Sequence, residues 1–297
     1  MAKHFVVRIA FLVTACVLPL TTARADLSKK QARNAIAKAA GMSLPSSAVH
    51  IEKVVSSADG NAEVAAQLEL VFRFARVEND QWRIKEIRTG EAKWDDIESI
   101  TRALKIDLQG DNCGLAQENG RPEPASELTN KRARCLVAHL FSINLPSDAV
   151  RVKDISALGL GTQPSAIAVT LVEADFRLSK DSSGWHVVSF RSGNRDWTAL
   201  ESASGILDSI KRDRTLAEMN TIASALESFR KERGSYVVSD KHSALIDTLT
   251  PRFLSHVIRL DSWRRPYHYH GEHDRFTLRS LGPDGKENTA DDIVISK

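Results

Sequence analysis

The chain has 297 residues, of which 42% are hydrophobic and 27% charged, and its formal net charge is +3. This composition is that of a globular protein, excludes wholesale disorder, and at this length suits two or three domains. Residues 1–25 contain three basic residues and no acidic ones, so the remainder has a formal net charge of 0 (3 − 3). Nucleic-acid binding, which requires a concentrated basic surface, therefore loses its main support in the sequence and is not expected.

The first 25 residues have the layout of a secretory signal peptide. A basic start precedes an apolar run over residues 9–20 and the small-residue site Ala23-Arg24-Ala25. The apolar run is too short to cross a bilayer, which takes about 20 residues. We therefore expect cleavage before Asp26, export to the periplasm or the cell exterior, and no transmembrane segment in the mature chain.

A lipoprotein signal is the less favoured alternative for the same segment. Val13-Thr14-Ala15-Cys16 resembles a lipobox, in which Cys16 would become a lipidated N-terminus. The sequence that follows this cysteine, Val-Leu-Pro-Leu, is unusually apolar for a mature lipoprotein, so we favour simple cleavage.

Beyond residue 25 the sequence contains two copies of one module, which makes it a tandem repeat. The motif LSKKQAR returns as LTNKRAR and the motif LPSSAV returns as LPSDAV, both at an offset of 101 residues. A pair of tryptophans is repeated at an offset of 103 residues. The matching segments are 27–33 with 128–134, 44–49 with 145–150, and Trp82 and Trp94 with Trp185 and Trp197.

Each copy predicts a helix, three strands and a second helix, with the first helix ending near a Leu-Pro pair. The second helices are expected from Trp94 to Leu104 and from Trp197 to about Leu207. Adjacent strands with short turns imply antiparallel sheets packed on helices, an α+β class with two tandem α-β-β-β-α modules. We predict module 1 at 26–107, a polar linker at 108–127, module 2 at 128–207 and a different unit at 208–297.

Two cysteines, Cys113 and Cys135, lie beyond the signal peptide. In an oxidising compartment such a pair is most simply a disulfide, which would tie the linker to the first helix of module 2. A loop of that size would stabilise the fold by about 3 kcal/mol. A thiol nucleophile is the alternative, and export argues against it.

A short motif, Arg88-Thr89-Gly90 in one copy and Arg191-Ser192-Gly193 in the other, lies between the tryptophans of each copy. The arginine could clamp an anion or a peptide beside the aromatic ring. A turn after a strand explains the motif more simply, and we favour it. Since no catalytic set of residues repeats, the doubled module is interpreted as a binding or scaffolding platform for an unidentified protein or envelope partner.

The last third begins with an amphipathic helical pattern, in which apolar residues recur at spacings of three and four. These residues are Leu216, Met219, Ile222, Ala223, Leu226 and Phe229, and Gly234 is the expected helix stop. This helix, the segment DSWRRPYHY at 261–269 and the segment FTLRSLGPDGKENTADDI at 276–293 resemble the soluble part of the major pseudopilins of type II secretion systems. The resemblance implies a pseudopilin-like helix followed by a small antiparallel sheet, and a calcium ion near the C-terminal end.

The acidic stretch supports a cation site independently. Asp284 occupies a Pro-Asp-Gly turn, and Asp291 and Asp292 return soon after it, so the loop can close on itself. Calcium takes six to eight oxygen ligands from such flexible loops. The resemblance implies calcium held by the side chains of these three aspartates and by the main-chain carbonyls of Leu281 and Lys286. A solvated acidic hairpin tip is the alternative for the stretch alone.

Two departures limit what the resemblance implies. A pseudopilin begins with a short leader, a processing glycine and a long apolar helix that packs the fibre, whereas this chain has a secretory signal and the repeat. Fibre assembly through that helix is therefore not expected. The second departure is Asp261-Ser-Trp-Arg-Arg-Pro, where the family usually has Asp-Pro-Trp-Gly-x-Pro, which puts the local turn in doubt.

Three histidines form a second candidate metal site, this time for zinc. His268 and His270 would share one face of a strand, with His273 close by in the sequence. Without a helical His-Glu-x-x-His motif, exposed edge residues are the simpler explanation.

The sequence thus favours an exported, non-enzymatic binding or scaffold protein stabilised by calcium. The alternatives are an accessory of a type II secretion or pilus-like machine and a metal-dependent hydrolase that uses these histidines.

Overall fold

A computed structural model describes the chain beyond the predicted signal peptide, with short gaps. The described residues are 27–39, 42–57, 59–77, 81–91, 93–106, 113, 117–118, 121–122, 127–145, 147–158 and 164–297. The signal peptide, the alternative lipidation site Cys16 and most of the linker lie outside them. None of the helices found in these ranges combines the length and the apolar character needed to span a membrane.

The first copy of the repeat folds into two α-helices, a short 3-10 helix and four strands. Its first helix starts with a capping box, in which the Ser28 hydroxyl accepts from the Gln31 N–H and the Gln31 side chain accepts from the Ser28 N–H. The elements are α1 (Lys29–Ala37), a 3-10 helix (Ser46–Ala48), β1 (Val49–Ser56), β2 (Asn61–Arg76), β3 (Trp82–Arg88), β4 (Trp94–Asp96) and α2 (Ile97–Ala103).

The second copy repeats this order after a short hairpin, β5 (Gln117–Glu118) and β6 (Arg121–Pro122). Its elements are α3 (Asn130–Leu140), β7 (Val150–Leu158), β8 (Ser165–Asp181), β9 (Gly184–Arg191), β10 (Thr198–Ala199) and the start of α4 (Leu200–Arg233). The predicted α+β class is confirmed.

Two details differ from the sequence prediction. Helices α1 and α3 end several residues before the Leu-Pro pairs. The Leu44 N–H donates to the Ala37 carbonyl at the end of α1, and the Ile143 N–H donates to the Ala138 carbonyl in the last turn of α3. The segment beginning at Trp94 is first a strand, β4, which pairs with β3, and only then a helix.

The sheets of the two copies are joined into one sheet of eight strands, where the sequence predicted a sheet in each module. Strands β2 and β8 pair antiparallel along almost their whole length, from Asn61 opposite Ser179 to Ala75 opposite Ser165. β1 and β3 pair with the other edge of β2, and β7 and β9 with the other edge of β8. The two copies therefore form a single structural platform.

The register of this sheet relates the copies by an internal two-fold symmetry. Val49 of β1 faces Leu68, and the equivalent Val150 of β7 faces Val172, while Leu68 and Val172 face each other across the β2–β8 pair. Irregularities in pairing also recur at equivalent places in the two copies. Contacts of this kind, in which one surface meets its own equivalent, are typical of two-fold dimers.

The helices cross between the copies. α1 packs on β1 of its own copy and on β9 of the other, and α3 packs on β7 and on β3 of the first copy. One hydrophobic cluster accordingly contains buried side chains from both, including Phe72, Phe74, Val172 and Leu178. Neither copy encloses this core alone.

The disulfide between Cys113 and Cys135 is present, with the two Cα atoms 5.7 Å apart. Cys135 lies in α3, so the bridge fastens the segment between the copies to the first helix of the second copy, as the sequence predicted.

The repeated Arg-x-Gly motif serves the fold in the second copy. The Arg191 guanidinium lies 4.7 Å from the centre of the Trp197 ring, and its Nε lies 2.9 Å from Asp175. Gly193 has φ +52, and a Cβ at this residue would lie 2.2 Å from the carbonyl oxygen of Ser142. The turn therefore requires glycine, which supports the turn interpretation over the clamp.

One continuous helix, α4, replaces the two helices predicted around residue 208. It runs from Leu200 to Arg233, and no proline interrupts it. The predicted domain boundary between residues 207 and 208 lies inside this helix. All the predicted domain boundaries stay predictions. The helix ends as predicted at Gly234, whose φ is +82.

The C-terminal unit packs the second half of α4 against a short helix and three strands. They are α5 (His242–Leu249), β11 (His268–Gly271), β12 (Phe276–Ser280) and β13 (Ile293–Ser296), and the strands pair antiparallel in this order. Met219, Ile222 and Leu226 of α4 are fully buried in this second core, as expected. Leu216, predicted on the same face, is 41% exposed.

Helix α4 also contacts the first copy of the repeat. It packs against α2, and Lys211 Nζ lies 2.5 Å from Asp95 Oδ1 in β4, with both side chains 6% exposed. The Thr89 hydroxyl donates to the other oxygen of Asp95. Burial raises the pKa of Asp95, but the charge and hydrogen bond of Lys211, together with the Thr89 hydroxyl and the Lys93 charge, outweigh it and hold that pKa below its ordinary value.

A second set of contacts joins the C-terminal unit to the same edge. Arg264 pairs with Glu86 of β3 and donates through Nε to the Trp94 carbonyl, and Arg214 Nη1 lies 3.6 Å from Asp96. Because this edge carries three carboxylates, it complements three cationic side chains of α4 and the C-terminal unit.

We predict that Lys211→Met destabilises the fold by about 3 kcal/mol, because it leaves Asp95 buried without its cation. Urea unfolding measures the change, and Lys211→Met with Asp95→Leu should recover most of it. The control is Arg102→Ala, which removes an exposed pair with Glu98 and should cost under about 1 kcal/mol. Equal effects of the two single substitutions would contradict the prediction.

We predict a loss of stability in acid that depends on His242. Its Nε2 is buried without a hydrogen-bond partner, and burial, together with Arg259, lowers its pKa to about 4. Since the unfolded imidazole titrates near pH 6.5, the unfolded chain binds the extra proton between these values, and stability falls as the pH drops from 6.5 towards 4. The contribution at pH 5 is about 1 kcal/mol after allowance for partial solvent screening.

The measurement is urea unfolding at pH 7.5 and pH 5 for the unaltered chain and for His242→Phe. The variant should lose less stability between the two pH values. His256→Phe, at an exposed histidine, is the control and should keep the original difference. An unchanged difference in His242→Phe would refute the assignment.

Candidate metal centre

The candidate site is the loop that joins β12 to β13, residues 281–292. Its two ends are held together because Ser280 pairs with Ile293 in the sheet. The Gly285 N–H donates to the Leu281 carbonyl at 3.2 Å and closes the first turn. The sequence prediction that the acidic stretch folds back on itself is therefore met in the structure.

Glycine at position 282 allows the two sides of the loop to approach closely. Gly282 has φ +57, and a Cβ there would lie 2.4 Å from the Asp291 carbonyl oxygen and 2.8 Å from its Oδ2. Any side chain would therefore push the second half of the loop away.

The three predicted aspartates are brought into one loop, where each accepts from a main-chain N–H. Asp291 accepts from Asp284 at 3.0 Å, Asp284 from Lys286 at 2.7 Å, and Asp292 from Asn288 at 3.0 Å. The pKa of Asp291 lies below its ordinary value because the Thr289 hydroxyl, and then the Asp284 N–H, donate to its carboxylate.

The structure adds Thr289, which the sequence analysis did not single out. Its Oγ1 lies 2.7 Å from Asp291 Oδ1, 3.0 Å from the Lys286 carbonyl, and 3.4 Å from both Asp284 Oδ1 and Asp292 Oδ1. A hydroxyl has one proton to donate, so it satisfies one of these oxygens at a time. Its position between the acidic residues in the sequence was the available signal.

The oxygens of this loop are those that calcium prefers: carboxylates, a main-chain carbonyl and a hydroxyl, with no nitrogen or sulfur. Within the described ranges, however, no three His, Cys, Asp or Glu side chains converge tightly enough to form a preformed metal site. The three carboxylates are instead spaced around the Thr289 hydroxyl. The donor set thus fits calcium. In this structure the three carboxylates are positioned by hydrogen bonds from main-chain N–H groups and from the Thr289 hydroxyl.

Arginines fix the loop from outside. Arg265 donates to the carbonyls of Gly282 and Pro283, and Arg212 of α4 donates to the Asp291 carbonyl at 3.2 Å. The loop is thereby tied to α4 close to Lys211, the residue that pairs with the platform.

The turn at Asp261 is closed by hydrogen bonds despite the departure noted in its sequence. Asp261 is buried, and its Oδ1 accepts from the N–H groups of Trp263 and Arg265, both at 2.9 Å, while Oδ2 accepts from the Ser280 hydroxyl. Arg264, where the pseudopilins have glycine, adopts φ +65. The turn therefore keeps the left-handed conformation that glycine would favour.

The histidine cluster does not gather as a zinc site would require. His268 and His270 do share the exposed face of β11. The two ring nitrogens of His270, however, face Asp240 and Glu272, whose hydrogen bonds raise its pKa. His273 lies in the exposed turn that follows, so the hydrolase hypothesis gains no support from this region.

Comparison with known proteins agrees with the C-terminal architecture. No curated protein and no solved structure gives a significant match to the chain. No family matches the repeated N-terminal part. Residues 204–296 match the family model described as "Type II secretion system (T2SS), protein G", so the C-terminal third of this chain is similar to that pseudopilin family.

Proposed function

We propose that this is an exported, non-enzymatic binding or scaffold protein that acts with a type II secretion-like system. In this proposal a duplicated α+β platform carries a calcium-stabilised, pseudopilin-like unit. The observation that carries it is the match of residues 204–296 to the protein G family. The secretion machinery, or an envelope protein close to it, is the partner.

The geometry of α4 favours an accessory role over that of a fibre subunit. The helix follows directly from β10, and about three turns after its start it is fixed to the platform through the Lys211–Asp95 pair. Its N-terminal end is thus occupied by the chain's own platform. The residues directly before Leu200 form strand β10, where a fibre subunit would continue the helix.

In the proposed calcium site the ion is held by the side chains of Asp284, Asp291 and Asp292 and by the carbonyls of Leu281 and Lys286. Calcium would neutralise three like charges that a closed loop brings together. Its role is structural, since a loop held by the ion also holds the last strand in register.

We predict that calcium raises the melting temperature of the C-terminal unit. At a calcium concentration about 100 times the dissociation constant, binding stabilises by about 2.7 kcal/mol, which corresponds to several degrees for a unit of this size. Differential scanning calorimetry of residues 26–297 in calcium and in chelator measures the shift. Asp291→Asn with Asp292→Asn should abolish the shift.

Asp247→Asn is the matched control for this experiment, because Asp247 lies in α5 and pairs with Arg259 away from the loop. It should respond to calcium as the unaltered chain does. Identical melting in calcium and in chelator for the unaltered chain would reject the calcium site.

We predict that the protein co-purifies with components of a secretion apparatus. The chain would be tagged at its C-terminus in its native cells, cross-linked in the envelope and identified with its partners by mass spectrometry. An exported protein of similar size with the same tag is the control. Recovery of the same proteins with both baits would argue against a specific association.

A further inference from the structure

A groove, here called the α1 groove, lies between α1 of the first copy and β9 of the second. It encloses a cavity of about 530 Å³. Its lining includes Trp185 and Leu200, which pack on the platform core but are only partly buried, and the exposed polar residues Gln31, Asn34 and Lys38. None of its described lining residues is acidic. The groove therefore suits an apolar occupant that carries no positive charge.

The internal two-fold symmetry places an equivalent groove between α3 and β3, and the chain fills that one itself. At the repeat offset of 101 residues, Cys135 of α3 corresponds to Asn34. Cys135 is bonded to Cys113, a buried residue of the segment between the copies. The counterparts of the two partly buried apolar residues of the α1 groove, Trp82 and Ile97, are both buried. A segment of polypeptide thus contributes to the core at α3 where the α1 groove stays open.

Side-chain size differs between the grooves in the same direction. Leu136 and Leu140 of α3 are buried, and alanines stand at the equivalent positions in α1 and just after it. These alanines, Ala35 and Ala39, leave the α1 groove short of two leucine side chains. Apolar side chains of leucine size from another molecule would therefore fill it.

The edge of β9 beside the groove is free to accept a strand. β10 pairs only with Ser189 and Phe190 of β9, so within the described ranges residues 184–188 have no strand partner on that side. A free edge can bind an extended segment through main-chain hydrogen bonds, while alternate side chains of that segment enter neighbouring pockets. Trp185 and Val187, which alternate along this strand, both line the groove.

We propose that the α1 groove is a docking site for an extended, apolar segment of a partner protein. The segment adds to the edge of β9 and inserts leucine-sized side chains between β9 and α1. The filled groove at α3 identifies the occupant as polypeptide, because there the chain's own segment is the cover. The inference rests on the binding role proposed above and gives that role a location.

The experiment traps a peptide in the groove through a disulfide. Asn34→Cys in residues 26–297 places a thiol at the position equivalent to Cys135. The probe is a synthetic peptide of residues 107–119, whose single thiol is Cys113. After equilibration in a dilute small-thiol buffer, mass spectrometry measures the mixed disulfide and verifies that the chain's own disulfide is intact.

We expect the mixed disulfide at Asn34→Cys to be at least about tenfold more stable than at Thr221→Cys, because burying one leucine-sized side chain is worth that factor. Thr221 is an exposed residue of α4 outside the groove and serves as the control. Adding Ala35→Leu with Ala39→Leu copies α3 and should remove the preference. If this variant does not fold, as judged by circular dichroism, Ala35→Leu alone replaces it, and the same outcomes decide.

The outcomes separate this inference from the proposed function. Equal trapping at the two cysteine positions, or a preference that the leucines leave unchanged, would overturn the docking site. We expect the unaltered chain to sediment as a monomer. A dimer that the leucines dissociate would overturn the partner protein as occupant, because a second copy would then fill the groove. Each of these failures leaves the association with a secretion apparatus standing, since co-purification tests it separately.

Discussion

The pairing of β2 with β8 is the interaction on which the rest of this structure depends. It joins the central strands of the two copies edge to edge, so that each copy completes the sheet and the core of the other. The helices then pack across the join, α1 onto β9 and α3 onto β3. A duplicated sequence thus forms what two chains of a two-fold dimer would form, with the two halves covalently linked.

The two copies give the joined sheet two equivalent edges, β4 in the first copy and β10 in the second. These two edges differ in charge. In the first copy the pair Glu86–Asp96 closes the β3–β4 edge, with Asp95 beside it. In the second copy the corresponding pair is Ser189–Ala199, with Thr198 beside it. Only the first edge can complement the cations of α4 and the C-terminal unit, so the unit docks on the copy that is further away in the sequence.

Much of this arrangement could be predicted from the sequence because it depends on local patterns. The repeat offsets gave the order of elements, and Gly234 gave the end of α4. The joined sheet could not be predicted, since strands that are buried on one face show the same alternation whichever neighbour they pair with. The continuous α4 was missed because a short helix and a following amphipathic helix leave no mark where they merge.

The candidate site shows the same division between local and distant information. The aspartates and the Pro-Asp-Gly turn at Asp284 are readable as residues of a closing loop. Thr289 was missed, because its position between acidic residues was the only signal and a threonine in such a place is commonplace on a solvated surface. Its inward orientation follows from the conformation of Asn288 and from the pairing of β12 with β13, and neither is a property of the threonine itself.

Arg264 joins the two halves of the molecule and explains why the turn departs from the family pattern. A non-glycine residue at φ +65 costs about 1 kcal/mol relative to glycine. The arginine side chain, however, reaches Glu86, a mostly buried carboxylate that also pairs with Arg73. In this chain the platform supplies the contact that offsets the backbone strain, and the substitution lies where the two units meet.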